Sequence, residues 1–131
     1  MDTLSDTDRI AVAQAYVDAL VSHDGDAVRF APRCIRIEQG IRTGFSGNHL
    51  RRSLNRGPQY RIIGATSTPD YTIVGDEVRA TYNVLTKFVL GGRRVAARVD
   101  EVFVIPAGSP TGGAQIHHIT VRFHPFIQHG G

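Results

Sequence analysis

Apolar and polar residues change rhythm roughly halfway along the chain. Ile10, Ala13, Tyr16 or Val17 and Leu20 recur at helical spacing and predict a helix over residues 5–22, capped by Ser5 or Thr7 with Asp8 in its first turn. His23-Asp24-Gly25-Asp26 breaks it. A short second helix is expected over residues 26–30, capped by Asp26 and stopped by Pro32. Residues 34–38 alternate as a short strand, and residues 40–44 read as a turn or short hairpin arm. Ser46 then caps a third helix to about Asn55, with Leu50 and Leu54 on one side and Gly57-Pro58 ending it. From Tyr60 onward the pattern is nearly all strand: 60–67 with a break at Gly64, a short strand over 71–74, a long hairpin over 77–105, and a last strand over 115–123. A loop rich in Gly, Pro, Ser and Thr fills 106–113, and a glycine-rich tail follows Pro125.

The hairpin organises the rest. Gly91-Gly92 supplies the two positive φ angles of a tight type I′ turn. Counting outward sets Leu90 against Arg93, Phe88 against Val95, Val84 against Val99 and Tyr82 against Glu101. Strand side chains alternate between faces, so Tyr82, Val84, Thr86, Phe88, Val95, Val99, Glu101 and Phe103 share one face. Arg79, Thr81, Asn83, Lys87, Arg94, Arg98 and Asp100 fall on the other, with Leu85, Val102 and Val104 among them. One acid therefore lies on an apolar face with a tyrosine across the strand. A carboxyl group there must be paired, hydrogen-bonded or neutralised by a raised pKa, because an isolated buried charge is too costly.

Helices first and long antiparallel strands afterwards give an α+β class. The expected architecture is a single domain over residues 1–131, with three N-terminal helices against a strongly curved antiparallel (mixed) sheet. Such a sheet curls into a cone whose mouth is a small-molecule pocket lined by the face that holds Glu101.

Composition narrows the classes. A chain of 131 residues, 41% hydrophobic and 21% charged, suits one ordinary globular domain. No apolar run approaches the roughly 20 residues needed to span a bilayer, and the acidic start lacks the order of a signal peptide, so the expectation is a cytoplasmic protein with no membrane partner. The net charge of +3 and pI near 9.5 invite a nucleic-acid reading. Fourteen of the fifteen basic residues are arginine, however, spread among twelve acids, and the one cluster, Arg51, Arg52 and Arg56, comes with no nucleic-acid motif. Cys34 is alone and reads as a buried small hydrophobe. His23, His49, His124 and His129 are scattered, and the adjacent His117 and His118 point apart on a strand, so no metal spacing emerges. No nucleotide fingerprint or hydrolase motif is present, and no cofactor is expected.

The candidate chemistry centres on acids. Glu101 is either a proton donor or base with a raised pKa, or a structural acid held by Tyr82, His117 or an arginine; a slipped register would instead bury Asp100. Glu38 is either a pocket base or a strand-end acid paired with Arg36 or Arg42. Arg36, two residues from Glu38 on the same face, would favour an ionised carboxylate. Tyr16 and Tyr82 can donate to a developing enolate or alkoxide. If Ile119, Val121 and Phe123 line the pocket, His117 joins them as a proton shuttle. Phe30 and Phe103 complete the expected apolar lining.

Three stretches carry a family resemblance. Ala15-Tyr16-Val17-Asp18-Ala19-Leu20 through Asp24-Gly25-Asp26 resembles a first helix and its acidic turn. Phe30-Ala31-Pro32-Arg33-Cys34-Ile35-Arg36-Ile37-Glu38 resembles a short helix running into a first strand. Glu101-Val102-Phe103-Val104-Ile105 and the strand over residues 116–123 resemble an acid-bearing strand and the closing strand. The pattern is similar to the superfamily of nuclear transport factor 2, the SnoaL-type polyketide cyclases and the ketosteroid isomerases. The resemblance implies an oxyanion-donating tyrosine near Tyr16, a base at Glu38 and a neutral carboxyl at Glu101. It implies cofactor-independent isomerisation, dehydration or cyclisation of a hydrophobic steroid- or polyketide-like substrate. Two alternatives stand beside it: a non-catalytic ligand-binding or dimerisation module, and an epoxide hydrolase using Glu38, Arg36 and Glu101 as a relay. Leu85, Val102 and Val104 predict a homodimer through the sheet.

Overall fold

A computed structural model describes residues 5–107 and 113–129. The elements are α1 (Asp6–Ser22), β1 (Phe30–Glu38), β2 (Ile41–Gly44), α2 (Gly47–Arg56), β3 (Ile63–Thr66), β4 (Asp70–Val74), β5 (Glu77–Leu90), β6 (Arg93–Val104) and β7 (Ile116–His129). The strands form one open, curved, mixed sheet in the order β2-β1-β7-β6-β5-β3, with β4 pairing β5 beyond the end of β3. Only β1 and β7 run parallel among these pairs. None of the described helices is long and apolar enough to cross a membrane.

Local chemistry explains the helices. Ser5 accepts from the Asp8 amide at 3.1 Å and caps α1; Ser46 accepts from the His49 amide at 3.0 Å and caps α2. α1 buries Arg9, Ala13, Tyr16, Val17 and Leu20, one helical stripe facing the sheet. Arg9 within that stripe is 2% exposed. It donates to the carbonyls of Ile105 at 2.7 Å and Gly75 at 2.6 Å, pinning the helix to the far end of the hairpin. α2 lies so close to β2 that a Cβ at Gly44 would strike Leu50 and come within 2.9 Å of the Arg36 Cβ.

The expected second helix is absent. Residues 25–27 make one 3-10 turn, and Phe30 already pairs with Ile116. Thus two α-helices, not three, accompany the sheet. Pro32 sits inside β1, where the pairing with β7 shifts between Phe30 and Ile35, so no ladder hydrogen bond is lost to it. The segment expected to be strand from Tyr60 begins instead as a 3-10 turn over Pro58–Tyr60. β7 runs on through Pro125 to His129, pairing with Arg93 at the hairpin tip; Pro125 and the residues up to His129 are therefore strand rather than tail. Residues 108–112 of the expected loop, and residues 130–131, lie outside the described residues.

The hairpin forms around Gly91-Gly92, both with positive φ, at 59° and 75°. Its register departs from a simple count. Leu90 faces Arg93 as expected, but Tyr82 pairs with Val99, Ala80 with Glu101 and Val84 with Ala97. A bulge between Leu85 and Val89 adds two residues to β5. Thr86 stitches it: its hydroxyl donates to the Val95 carbonyl at 2.8 Å and accepts from the Phe88 amide at 3.2 Å. Arg94 donates to the Thr86 carbonyl at 2.7 Å. Because the slip is two residues, every side chain keeps its face.

Candidate functional site

The concave face of β5, β6 and β7, with α1 across it, encloses a cavity of about 250 Å³. Tyr82 and Val84 reach it from β5, Val99 and Glu101 from β6, Val121 and Phe123 from β7, Tyr16 from α1 and Glu38 from the end of β1. The two acids singled out in the sequence thus open onto one space, together with both tyrosines.

Glu101 is 2% exposed. Tyr82 donates to its Oε1 at 2.6 Å. Burial pushes the Glu101 carboxyl up to about 8, with Glu38 adding to the rise, against the Tyr82 hydrogen bond and the positive charge of Arg36. The group is therefore mostly protonated at neutral pH. With Oε1 accepting from Tyr82, its own proton belongs on the other oxygen.

Arg36, expected among the lining residues, lies behind the wall instead, 1% exposed. Its Nε reaches Glu38 Oε1 at 2.9 Å and Thr43 Oγ1 at 3.1 Å, and Nη2 donates to the Thr43 carbonyl at 3.3 Å. Nη1 donates to the Tyr16 hydroxyl at 3.1 Å, and the guanidinium lies 5.7 Å from the Tyr60 ring centroid. Burial opposes the charge, but Tyr16, Tyr60 and Glu38 outweigh it and hold Arg36 above the ordinary arginine range. Thr43 donates to Glu38 Oε1 at 2.7 Å, so one oxygen of that carboxylate carries two donors. Since Tyr16 accepts from Arg36, its own O–H remains to donate. Burial, and after it Tyr60, raises the Tyr16 pKa well above the ordinary value, so the phenol stays neutral.

Three other expected lining residues are core. Phe103 and Ile119 are wholly buried and Phe30 is 5% exposed; the first and last pack edge-on against the Tyr16 ring, at 5.4 and 6.2 Å between centroids. They support the tyrosine rather than face the cavity. His117 is exposed and does not line the cavity. Ile116 and Ile119, three apart, are both fully buried, which strict alternation would forbid; the irregular start of β7 turns His117 outward. Sequence reasoning missed Leu20, Gln59, Ile62, Ile63, Thr86 and Ala97 as lining residues, and above all Tyr60. Its signal was the break at Gly57-Pro58, which returns the chain under the sheet immediately after α2. Among the described residues no cluster of His, Cys, Asp and Glu is arranged to hold a metal.

A family model described as "Domain of unknown function (DUF8021)" matches residues 2–123. No curated protein matches the sequence. Several solved structures do. A de novo designed protein with a curved β-sheet superposes with a TM-score of 0.70 at 10% identity, covering 92% of this chain and 88% of that one. An LEH-like epoxide hydrolase of M. tuberculosis gives 0.68 at 20% identity, covering 90% and 84%. Nuclear transport factor 2 from Cryptosporidium parvum gives 0.62 at 12% identity, covering 95% and 99%. These likenesses establish the nuclear-transport-factor-2-like fold.

Proposed function

The chain belongs to the DUF8021 family, and we propose that it is a cofactor-independent acid/base enzyme that moves a proton on a neutral carbonyl-bearing group of a hydrophobic compound. The observation that carries this reading is a buried Glu101, hydrogen-bonded by Tyr82, sharing one cavity with Glu38. Glu38 takes a proton from the carbon next to the carbonyl. Glu101 and Tyr16 donate hydrogen bonds to the oxygen as negative charge develops there, and Glu38 returns the proton at the conjugated carbon. Isomerisation is then complete; where a hydroxyl stands β to the carbonyl, Glu38 passes the proton to that oxygen instead, water departs as the carbon–oxygen bond breaks, and the result is dehydration. Tyr82 and Arg36 position the donors.

The size of the cavity refines the substrate class. An engineered apolar cavity of about 150 Å³ accepts benzene; by that measure about 250 Å³ takes a reacting group of roughly ten heavy atoms. A single ring fits where a steroid nucleus does not. Epoxide opening through a relay of Glu38, Arg36 and Glu101 is less well supported, because among the described residues no bond joins Arg36 to Glu101. On the convex face Leu85, Val102 and Val104 remain half-buried, which supports pairing of two copies there.

The test is exchange of the α-hydrogen of cyclohexenone derivatives with deuterated solvent, followed by NMR. Catalysed exchange is expected, reduced about 100-fold or more in Glu38→Gln and in Glu101→Gln. Exchange at the solvent rate by a protein that binds the same compounds makes it a binding module.

A further inference from the structure

The concave face does not stop at the cavity. Thr86, Ala97, Val99 and Phe123 form its outer lip. The next residues in the same pleated rows, Phe88 and Leu90 on β5, Val95 on β6 and Ile127 on β7, line an adjoining open groove of about 710 Å³. These four are among the most exposed large apolar residues of the chain: Leu90 is 85% and Phe88 56% exposed. A soluble chain that leaves such a row uncovered, continuous with a cavity, has a use for it.

Charge says what kind of occupant suits it. Lys87, beside Phe88, and Arg93, at the hairpin tip, both line the groove, and no acid is among its lining residues. A second copy would bring the same charge against itself. The inner end has the opposite character: Glu38 and Glu101 oppose an anion, and Arg36 is occupied by Tyr16, Thr43 and Glu38.

We propose that groove and cavity form one site for a long-chain amphiphile, with an anionic group held by Lys87 and Arg93, an aliphatic chain along Phe88, Val95 and Ile127, and a neutral end in the cavity. At about 3.3 Å per residue the stretch from Val99 to Arg93 spans roughly 20 Å, the length of about sixteen carbons. The occupant of the inner end is the reacting group of the function proposed above, so this inference rests on that reading for its chemistry but not for its binding.

The probes are octanoate, dodecanoate and hexadecanoate, with hexadecanol as the uncharged control, titrated calorimetrically below their micelle concentrations. Binding is expected to tighten roughly twofold per added methylene, since the groove covers only part of each, and so about 250-fold from eight to sixteen carbons. Lys87→Glu with Arg93→Glu, both at exposed positions, is expected to weaken hexadecanoate about tenfold and to leave hexadecanol unchanged. Affinity independent of chain length, or of the two charge reversals, overturns the proposal. So does sedimentation with phosphatidylglycerol vesicles by a protein that ignores hexadecanoate in solution, which would assign the groove to a bilayer surface. Loss of exchange in Glu101→Gln bears on the function alone, and chain-length dependence bears on the groove alone.

Discussion

The two ends of the concave face are built from the same three strands and the same pleated rows, yet they treat their polar groups in opposite ways. At the inner end Tyr82, Glu101, Tyr16, Arg36, Thr43 and Glu38 form two bonded sets behind and around a cavity. At the outer end Phe88, Leu90 and Ile127 face open space beside cations. What separates them is cover: α1 and Tyr60 overlie the first region, and no described element overlies the second. Burial converts a glutamate into a neutral acid at one end, and exposure leaves charges as ordinary surface charges at the other.

The contrast makes perturbations at the inner end large and those at the tip small. The largest is a pH effect. Glu101 is raised to about 8 in the fold and sits near 4.3 when unfolded, so between these values the native state holds a proton that the unfolded state lacks. Stability is full below about pH 4, falls as pH rises, and has lost this contribution above about pH 8, on the order of 5 kcal/mol in all. Urea titrations from pH 5 to 9 check it, and Glu101→Gln, which cannot ionise, should be the more stable form at pH 9. Second, Arg36→Met strips partners from Glu38, Tyr16 and Thr43 and is expected to cost about 3 kcal/mol, read from the denaturation midpoint. Third, Tyr82→Phe removes the hydrogen bond to Glu101 and costs roughly 1–2 kcal/mol at pH 6; because that bond favours the ionised form, the fall in stability with pH moves to higher pH. Last, Leu90→Ser at the tip should change stability by less than about 0.5 kcal/mol while weakening hexadecanoate. A tip substitution as costly as Arg36→Met would erase the distinction.

The parts that sequence made legible are those governed by local rules. Ser46 before Leu50 and Leu54 announces α2, and Gly91-Gly92 announces the hairpin. Alternation alone was enough to turn Glu101 towards Tyr82, even though their pairing is displaced by two residues. The misses are tertiary. Residues 26–30 have a helical start signal, but Phe30 gains more by pairing with Ile116 and burying against Tyr16 than from one isolated helical turn. His117 followed the parity of Ile119, Val121 and Phe123, and only the irregular pairing with β1 turned it out. Tyr60 gave no periodic signal, and Arg9, in helical register with Ala13 and Tyr16, was hidden by its charge; the carbonyls of Gly75 and Ile105 that satisfy it are distant in the chain.

The stitched irregularity at Thr86 bears on how such a molecule can change. A single-residue insertion or deletion there would swap Phe88 and Leu90 to the convex side and close the row leading from the cavity. A change of two residues would keep the row and alter only how far the tip projects. Lineages and designers alike can therefore lengthen or shorten the approach to the acids in steps of two without touching the chemistry at its root.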